Sequence, residues 1–361
     1  MSKKLSNLVD SLQKTYKVNI PSAREAGVVE RLILDSPGLN YAFGGGMPLG
    51  RMLFFQGPES GGKTTLATYL AMQTQQKRPD KRAVVFLDYE YTFDAEHAEE
   101  MGLDLDNDFY VVRPLNGEDG FNIMKEFANS GEVGLIIVDS ISALASKAAC
   151  EDAFGGYSGG KTAAVIADGI RMMLPYLYNN KCTMIMLSQE RVNIGATYGA
   201  EFKATGGRAP SFYSTWSARI TRTDYITGDN KELAGIEMRV RNTKNKVGIA
   251  KRDANLKLYF RGGIDSEGEY IDYLKVLGLI TQKGSYYSND DWGMKVQGLE
   301  AVKKFLLDRP ELYESVKAEV NNIIAGHTVL DESEQILTQE EIESGAWNEY
   351  TEEDVKADCE G

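Results

Sequence analysis

A glycine-rich turn carries the strongest chemical signal in the chain. Residues 57–64 read GPESGGKT and match the pattern G-x-x-x-x-G-K-T in full. The glycines let backbone N–H groups turn toward a phosphate, and the helix that follows adds the positive end of its dipole. The pattern predicts that Lys63 contacts the β and γ phosphates of a nucleotide and that the Thr64 hydroxyl ligates Mg²⁺. The candidate nucleotide-binding residues here are Gly57, Pro58, Glu59, Ser60, Gly61, Gly62, Lys63, Thr64 and Thr65.

The local context distinguishes this turn from a chance match. An apolar run, MLFFQ, precedes it and a helical run, TLATYLAMQTQQ, follows it. A phosphate-binding loop needs a strand before it and a helix after it. The alternative, an ordinary glycine-rich turn that contains Lys-Thr by chance, does not require that context.

Two further carboxylates are expected beside the turn. Asp139 ends the apolar run LIIV, which is typical of the acidic position that holds Mg²⁺ through water. Glu90 follows another apolar run, VVFLD, and could orient the water that attacks the nucleotide. Parallel strands present their carboxyl ends at one sheet edge, so both side chains should lie near the phosphates. The alternative for Glu90 is a loop carboxylate that caps a helix.

The elements that must position these residues form an alternating pattern from Arg51 to about Asp265. Short apolar runs alternate with helical patterns, which predicts an α/β fold with a mostly parallel central sheet flanked by helices. The predicted strands are Met52–Gln56, Ala83–Asp88, Phe109–Val112, Gly134–Asp139 and Thr183–Ser188. A polar, hairpin-like stretch near 226–235 leads into a further strand at 236–243.

The flanking segments differ from this core. Leu5, Leu8, Val9 and Leu12 predict an amphipathic helix over residues 3–17, which Pro21 ends. Residues 266–325 predict a small mixed module with helices near 269–277 and 298–307. The rest is acidic and is expected to form a tail without a packed core.

Composition restricts the possible locations and partners. Apolar runs stay below the roughly 18 residues that a membrane span needs, and the N-terminus lacks a signal-peptide core, so a cytoplasmic protein with no membrane partner is expected. Three separated cysteines fit reduced thiols.

The net charge of −13 argues against nucleic-acid binding, but most of it lies in one segment. Residues 330–361 hold twelve acidic residues and one basic residue and so carry −11 of the charge. The remaining chain is nearly neutral.

Two glycine-rich segments are candidates for DNA binding. They are residues 147–161 (KAACEDAFGGYSGGK) and residues 190–208 (ERVNIGATYGAEFKATGGR). Glycines expose backbone N–H groups to phosphates, cations bind the DNA backbone, and apolar side chains can wedge between bases. Composition alone leaves plain linkers as the alternative.

Many motifs of the chain resemble those of the bacterial RecA family, from about Pro37 to Pro310. GGGMPLGRM, GPESGGKTT, FLDYEYTFD, LIIVDSISAL and LSQERVNIG occur in the family's order and spacing, as do TGGRAPSFYS, TKNKVG, EYIDYLKVLGLI and GSYYS. The resemblance implies a RecA-type P-loop core over 37–265, with an N-terminal oligomerisation helix and linker over 1–36. It also implies a DNA-gathering module over 266–329, and the acidic tail then covers 330–361.

The resemblance further implies the roles of individual residues. Glu90 would be the catalytic base, Gln189 would sense the γ-phosphate, and Lys244 and Lys246 would reach the nucleotide held by the neighbouring subunit. Asp94 would bond the adenine amino group, and His97 stands where the family usually places an aromatic side chain that stacks on adenine; a surface histidine without a ligand is its alternative. The implied DNA-binding residues are Arg171, Arg191, Asn193, Ile194, Gly206, Gly207 and Arg208. Pro210 departs from the family's usual residue.

The resemblance therefore implies an ATP- and Mg²⁺-dependent recombinase that forms helical filaments on single-stranded DNA and exchanges strands with a homologous duplex. Which single-strand-binding and loader proteins assist it stays open. Two other classes are alternatives: a hexameric helicase or motor with the same core fold, and an ATP-binding regulator without catalysis.

Overall fold

The computed structural model describes residues 3–16, 20–151, 159–192, 202–204, 207–228 and 230–326. The chain divides into two compact units, Met1–Glu30 and Arg31–Gly361. The acidic segment 330–361 lies outside the described residues.

The first unit contains α1 (Lys3–Tyr16) and α2 (Ala23–Ala26). Helix α2 begins with a capping box, in which the Ser22 hydroxyl accepts a hydrogen bond from the Glu25 N–H and the Glu25 carboxylate accepts one from the Ser22 N–H. The helix expected over residues 3–17 is present, and its Leu5 and Leu8 side chains are exposed.

The second unit begins with a short antiparallel ladder, β1 (Arg31–Leu32) and β2 (Met47–Pro48), around α3 (Pro37–Phe43). The central sheet follows. Its strands are β3 (Met52–Gly57), β4 (Ala83–Asp88), β5 (Phe109–Val112), β6 (Val133–Asp139), β7 (Thr183–Val192), β9 (Trp216–Thr227), β10 (Leu233–Asn245), β11 (Ala254–Tyr259) and β12 (Gly263–Ile264), and β8 (Phe202–Ala204) pairs with β7 alone.

The strand order is β12-β11-β10-β9-β3-β7-β6-β4-β5. Neighbours from β9 through β5 run parallel, whereas β10, β11 and β12 add antiparallel pairs at one side. The α/β fold with a mostly parallel sheet is therefore confirmed. In the register of the sheet, Asp88 lies beside Asp139 and Gly57 beside Gln189, so the carboxyl ends of β3, β4, β6 and the middle of β7 share one edge.

Helices cover both faces of this sheet. They are α4 (Lys63–Lys77), α5 (Ala95–Glu100), α6 (Gly117–Ser130), α7 (Lys147–Glu151), α8 (Gly159–Asn180) and α9 (Ala209–Tyr213). Successive residues of β3 point to opposite faces, as strand geometry requires. Leu53 packs in the same core as Leu66 of α4, and Phe54 packs with Phe121 of α6 and Ile170 of α8. Both faces of the sheet are buried under helices, which explains the near-continuous apolar runs of the sequence.

The C-terminal module has a core of its own. It consists of α10 (Ser266–Val276), β13 (Thr281–Lys283), β14 (Tyr286–Asn289), β15 (Met294–Gln297), α11 (Leu299–Leu307) and α12 (Pro310–Gly326). Ile271, Leu274, Val302 and Val316 lie in one buried cluster. The sequence pattern predicted α10 and α11 but not α12. Among the helices that the structure describes, none is long and apolar enough to cross a membrane.

Candidate nucleotide site

The phosphate-binding turn lies between β3 and α4, as its motif predicts. Gly57 has no space for a side chain, because a Cβ atom there would lie 2.1 Å from the Ile220 carbonyl oxygen on β9. Gly62 has φ +89°, a left-handed conformation that favours glycine. The Lys63 ammonium donates to the carbonyls of Gly57 (3.1 Å) and Pro58 (2.5 Å). Carbonyl groups of the loop itself therefore hold the Lys63 ammonium group.

Burial lowers the pKa of Lys63, and the nearby carboxylates of Asp139, Glu190, Glu90 and Glu59 oppose that shift. An ammonium group held among carboxylates at the start of a helix fits a triphosphate, whose phosphates would replace the two carbonyls as partners.

Thr64 and Asp139 meet across the start of α4 and the end of β6. The Thr64 hydroxyl donates to the Asp139 carboxylate over 2.6 Å. Burial raises the pKa of Asp139 to about 6, while the Thr64 hydrogen bond acts in the opposite direction. A hydroxyl beside a carboxylate is the oxygen set that suits Mg²⁺ with its water shell. These two residues fit the metal that the motif implies.

Glu90 belongs to a hydrogen-bond network at the same sheet edge. Its Oε1 accepts hydrogen bonds from the Ser140 hydroxyl and, over 3.2 Å, from the Gln189 side-chain amide. The Gln189 backbone N–H donates to the Ser142 hydroxyl over 2.9 Å. Among the described helices Glu90 caps none, and its carboxylate is oriented by Ser140, just after β6, and by Gln189 of β7.

A cleft joins these groups. It is lined by Glu59, Ser60, Gly61, Gly62, Lys63, Thr64, Thr65, Glu90, Asp139, Ser140, Gln189, Arg222, Tyr225, Ile236 and Phe260. The wall formed by Arg222, Tyr225, Ile236 and Phe260 was not predicted from sequence. Arg222 donates to the Ser60 carbonyl over 3.3 Å and stacks on the Tyr225 ring at 4.1 Å. The sequence signal for this wall is the hairpin-like stretch near 226–235 and the strand predicted at 236–243, and this signal does not reveal which strand they pair with.

Asp94 and His97 lie outside that lining. The Asp94 carboxylate accepts a hydrogen bond from the His97 N–H over 3.0 Å and caps α5. The His97 ring lies 5.7 Å from the ring of Phe260, edge to face, and Phe260 does line the cleft. His97 therefore packs against a ring that lines the cleft and does not line the cleft itself.

Lys244 and Lys246 also lie outside the cleft. The Lys244 ammonium donates to the carbonyls of Ser211 (2.5 Å) and Phe212 (2.8 Å), near the end of α9. Burial and the neighbouring Lys246 lower the pKa of Lys244 to about 8. The two lysines therefore stand together at a separate surface.

The described parts of the two glycine-rich segments contain regular secondary structure. Residues 147–151 form α7, α8 begins at Gly159, and residues 152–158 lie outside the described ones. In the second segment β7 continues to Val192 and pairs with β8, Glu190 facing Ala204 and Val192 facing Phe202. Antiparallel pairing satisfies backbone groups that an irregular loop would leave to water. We call the paired residues 190–192 and 202–204 the β7–β8 arm.

The predicted DNA-binding residues are spread along these segments. Arg171 is exposed on α8 and pairs with Asp168. Arg191 lies on β7, and Gly207 and Arg208 are exposed just before α9. Asn193, Ile194 and Gly206 lie outside the described residues.

A phosphate-binding loop between a central parallel strand and its helix, with carboxylates supplied by neighbouring strands at the same edge, defines the class of P-loop nucleoside triphosphatases. Comparison with known proteins narrows that class. A family model described as the RecA N-terminal domain matches residues 4–265. The chain belongs to the RecA family, whose members are ATP-dependent DNA recombinases.

Individual relatives match over almost the whole chain. Protein RecA of Wolbachia sp. subsp. Drosophila simulans (strain wRi) is 30% identical over 347 residues, which cover 94% of this chain and 96% of the relative. Protein RecA of Chlorobium chlorochromatii (strain CaD3) is 32% identical over 331 residues, covering 90% and 92%. Protein RecA of Thermus aquaticus is 32% identical over 324 residues, covering 88% and 93%.

Proposed function

We propose that this chain binds and hydrolyses ATP with Mg²⁺, assembles into helical filaments on single-stranded DNA, and exchanges strands with a homologous duplex in recombinational repair in the cytoplasm. The observation that supports this most is the position of Gln189. Its side-chain amide bonds Glu90 beside the phosphate loop, and the next residue begins the β7–β8 arm. One residue thus belongs both to the nucleotide site and to the base of a DNA-binding segment.

Hydrolysis would use the charged groups of the cleft. Lys63 would bind the β and γ phosphates, and Thr64 with Asp139 would hold Mg²⁺, directly and through water. The bound metal would neutralise charge that develops on the phosphates. Glu90, directed by Ser140, would hold the attacking water and accept its proton. Lys244 and Lys246 would act on the nucleotide of a neighbouring subunit, where added cations stabilise transition-state charge.

The base of the nucleotide would lie toward the aromatic wall. Phe260 lines the cleft and His97 packs against it, so adenine could stack on this layer while Asp94 supplies an acceptor for its amino group. Stacking on aromatic rings is favourable for any purine, so this wall accounts for binding better than for a choice between bases.

DNA would be held by the two glycine-rich segments, with Arg171, Arg191, Asn193, Ile194, Gly206, Gly207 and Arg208 as contacts. The C-terminal module would gather duplex DNA, and α1 would dock on the next subunit. Loader and single-strand-binding proteins would be further partners.

A strand-exchange assay tests the proposal. Pure protein, circular single-stranded DNA and a homologous linear duplex should yield joint molecules with ATP and Mg²⁺, and none with a heterologous duplex. Electron microscopy on single-stranded DNA with a slowly hydrolysed ATP analogue should show helical filaments. Closed rings would identify a hexameric motor instead, and ATP binding without DNA-stimulated turnover would identify a regulator.

A further inference from the structure

An ion pair lies directly beyond Gln189, at the base of the β7–β8 arm. Glu190 Oε2 lies 2.9 Å from Arg219 Nε, and the two side chains are only 3% and 15% exposed. Glu190 is on β7 and Arg219 is on β9, and strand β3 runs between those strands. The pair therefore bridges the end of the strand that leads into the phosphate loop.

The sheet register places both partners at the same level as that loop. Gln189 lies beside Gly57, the last residue of β3, and Arg219 lies beside Gln56. The next residue of β9, Ile220, has its carbonyl oxygen so close to Gly57 that a side chain there would be excluded. Strand β9 is thus closely packed against the loop, so Arg219 holds the Glu190 side chain in a fixed position.

Glu190 is also the first paired residue of the arm. It faces Ala204, and pairing continues to Val192 and Phe202. Fixing the Glu190 side chain to β9 therefore fixes the position from which the arm leaves the sheet.

The charge of Glu190 bears on phosphate binding. Glu190 is one of the carboxylates that interact electrostatically with the Lys63 ammonium group, and the residue before it, Gln189, lines the cleft together with Lys63. A buried carboxylate at this range repels a triphosphate, because little water screens it. A guanidinium group at 2.9 Å compensates that charge.

We propose that Glu190 and Arg219 form a charge-neutral tether that fastens the DNA arm to the phosphate-loop strand and allows a triphosphate to bind beside a buried carboxylate. Both are positioning residues, and the inference rests on the proposed function of the arm. The Gln189 side chain lines the nucleotide cleft. The ion pair makes the base of the arm move together with Gln189.

The two partners predict opposite effects on nucleotide affinity. Arg219→Gln leaves Glu190 uncompensated and should weaken binding of a non-hydrolysable ATP analogue about tenfold. Glu190→Gln leaves a cation near the phosphates and should leave that affinity unchanged or make it tighter. The double variant restores neutrality and should bind within about twofold of the wild type. A role limited to stability would weaken binding alike in both single variants.

Both single variants should loosen the arm. The ratio of single-stranded DNA affinities measured with the ATP analogue and with ADP should therefore fall about fivefold or more in each variant, as one broken buried pair can cause. The double variant lacks the ionic tether and should keep this loss although its nucleotide affinity recovers.

Asp80→Asn is the matched control. Asp80 pairs over 2.6 Å with the buried Arg78, which follows α4 at the opposite edge of the same sheet. This variant weakens an ion pair of the same sheet away from the cleft, with a more exposed carboxylate, and should lower the melting temperature without changing either affinity. Arg219→Lys keeps the charge and should retain wild-type nucleotide affinity, which keeps the test usable should Arg219→Gln fold poorly.

Calorimetric titration of the ATP analogue and fluorescence anisotropy with a labelled oligonucleotide give the two readouts on the full chain. Equal weakening of ATP binding by Glu190→Gln and Arg219→Gln, without recovery in the double variant, would overturn the inference. An unchanged DNA affinity ratio in both single variants would overturn it as well. If the wild type itself shows no nucleotide-dependent DNA affinity, the proposed function fails, while the order of nucleotide affinities still tests the charge compensation.

Discussion

Glu90 is held by side chains that the linear sequence places far from it. Ser140, just after β6, and Gln189, on β7, donate to the same carboxylate oxygen. Two donors keep the carboxylate oriented, as positioning of a general base requires. A carboxylate that only capped a helix would not need these two side-chain donors.

Glu90→Gln should keep ATP binding within about twofold and lower turnover by about 10²–10⁴-fold, the range of a lost general base. The amide preserves size but accepts no proton from water. Steady-state phosphate release and calorimetric binding measure the two quantities. Glu59→Gln, at the same cleft but outside the Ser140 and Gln189 network, is the control and should leave turnover within about tenfold. Turnover by the Glu90 variant equal to wild type would remove Glu90 from the mechanism.

Helix α10 is joined to the start of α3 by a second buried carboxyl group. Glu269 Oε2 accepts hydrogen bonds from the Ser36 hydroxyl (2.6 Å) and the Gly38 N–H (3.2 Å). Burial raises the pKa of Glu269 to about 8, and these hydrogen bonds only partly oppose the shift. Glu269 is therefore protonated at neutral pH at the junction between the core and the C-terminal module.

The stability of the protein should depend on pH through this group. Below about pH 4.5 the carboxyl is protonated in both folded and unfolded chains, and from there to about pH 8 only the unfolded chain ionises it. The wild type thus loses stability as pH rises through that window. Glu269→Gln should melt with the wild type near the lower end and about 4 °C or more above it at high pH. Exposed Glu300→Gln is the control, and equal melting curves at both pH values would contradict the assignment.

Local patterns predicted the strands but not all of their neighbours. Apolar runs identified β3, β4, β6 and β7, and the motif placed Lys63 and Thr64. The wall made by Arg222, Tyr225 and Phe260 could not be predicted, because it depends on β9 pairing with β3 and on antiparallel strands beyond it. Hydrophobic periodicity indicates that a strand is buried and does not indicate which strand it pairs with. The same non-local pairing creates the contact between Glu190 and Arg219.

The exposed apolar face of α1 is the surface that the proposed filament assembly would use. Leu8 is 53% exposed, and Leu5 lies on the same helix. If this face docks on the next subunit, Leu8→Ser should abolish filaments on single-stranded DNA and leave ATP affinity unchanged. Leu307→Ser is a control of matched exposure at 51%. Electron microscopy and calorimetry measure the two outcomes, and normal filaments from the Leu8 variant would contradict a docking role for α1.

The charge of the acidic segment 330–361 should affect how the whole protein binds DNA. It carries most of the negative charge and should compete with DNA for basic surfaces, with Mg²⁺ relieving that competition. Deletion of these residues should speed binding to duplex DNA at low Mg²⁺. Stopped-flow anisotropy measures the rate, and an unchanged rate at low Mg²⁺ would show that the segment only adds charge.

On the proposed function, a bound triphosphate sets how tightly the protein holds unpaired DNA. The most direct measurement is the affinity of the pure protein for a labelled single strand, with a slowly hydrolysed ATP analogue and with ADP, at one salt concentration. We expect binding at least about tenfold tighter with the analogue, a coupling of about 1.4 kcal/mol or more. Equal affinity with the two nucleotides would contradict the claim.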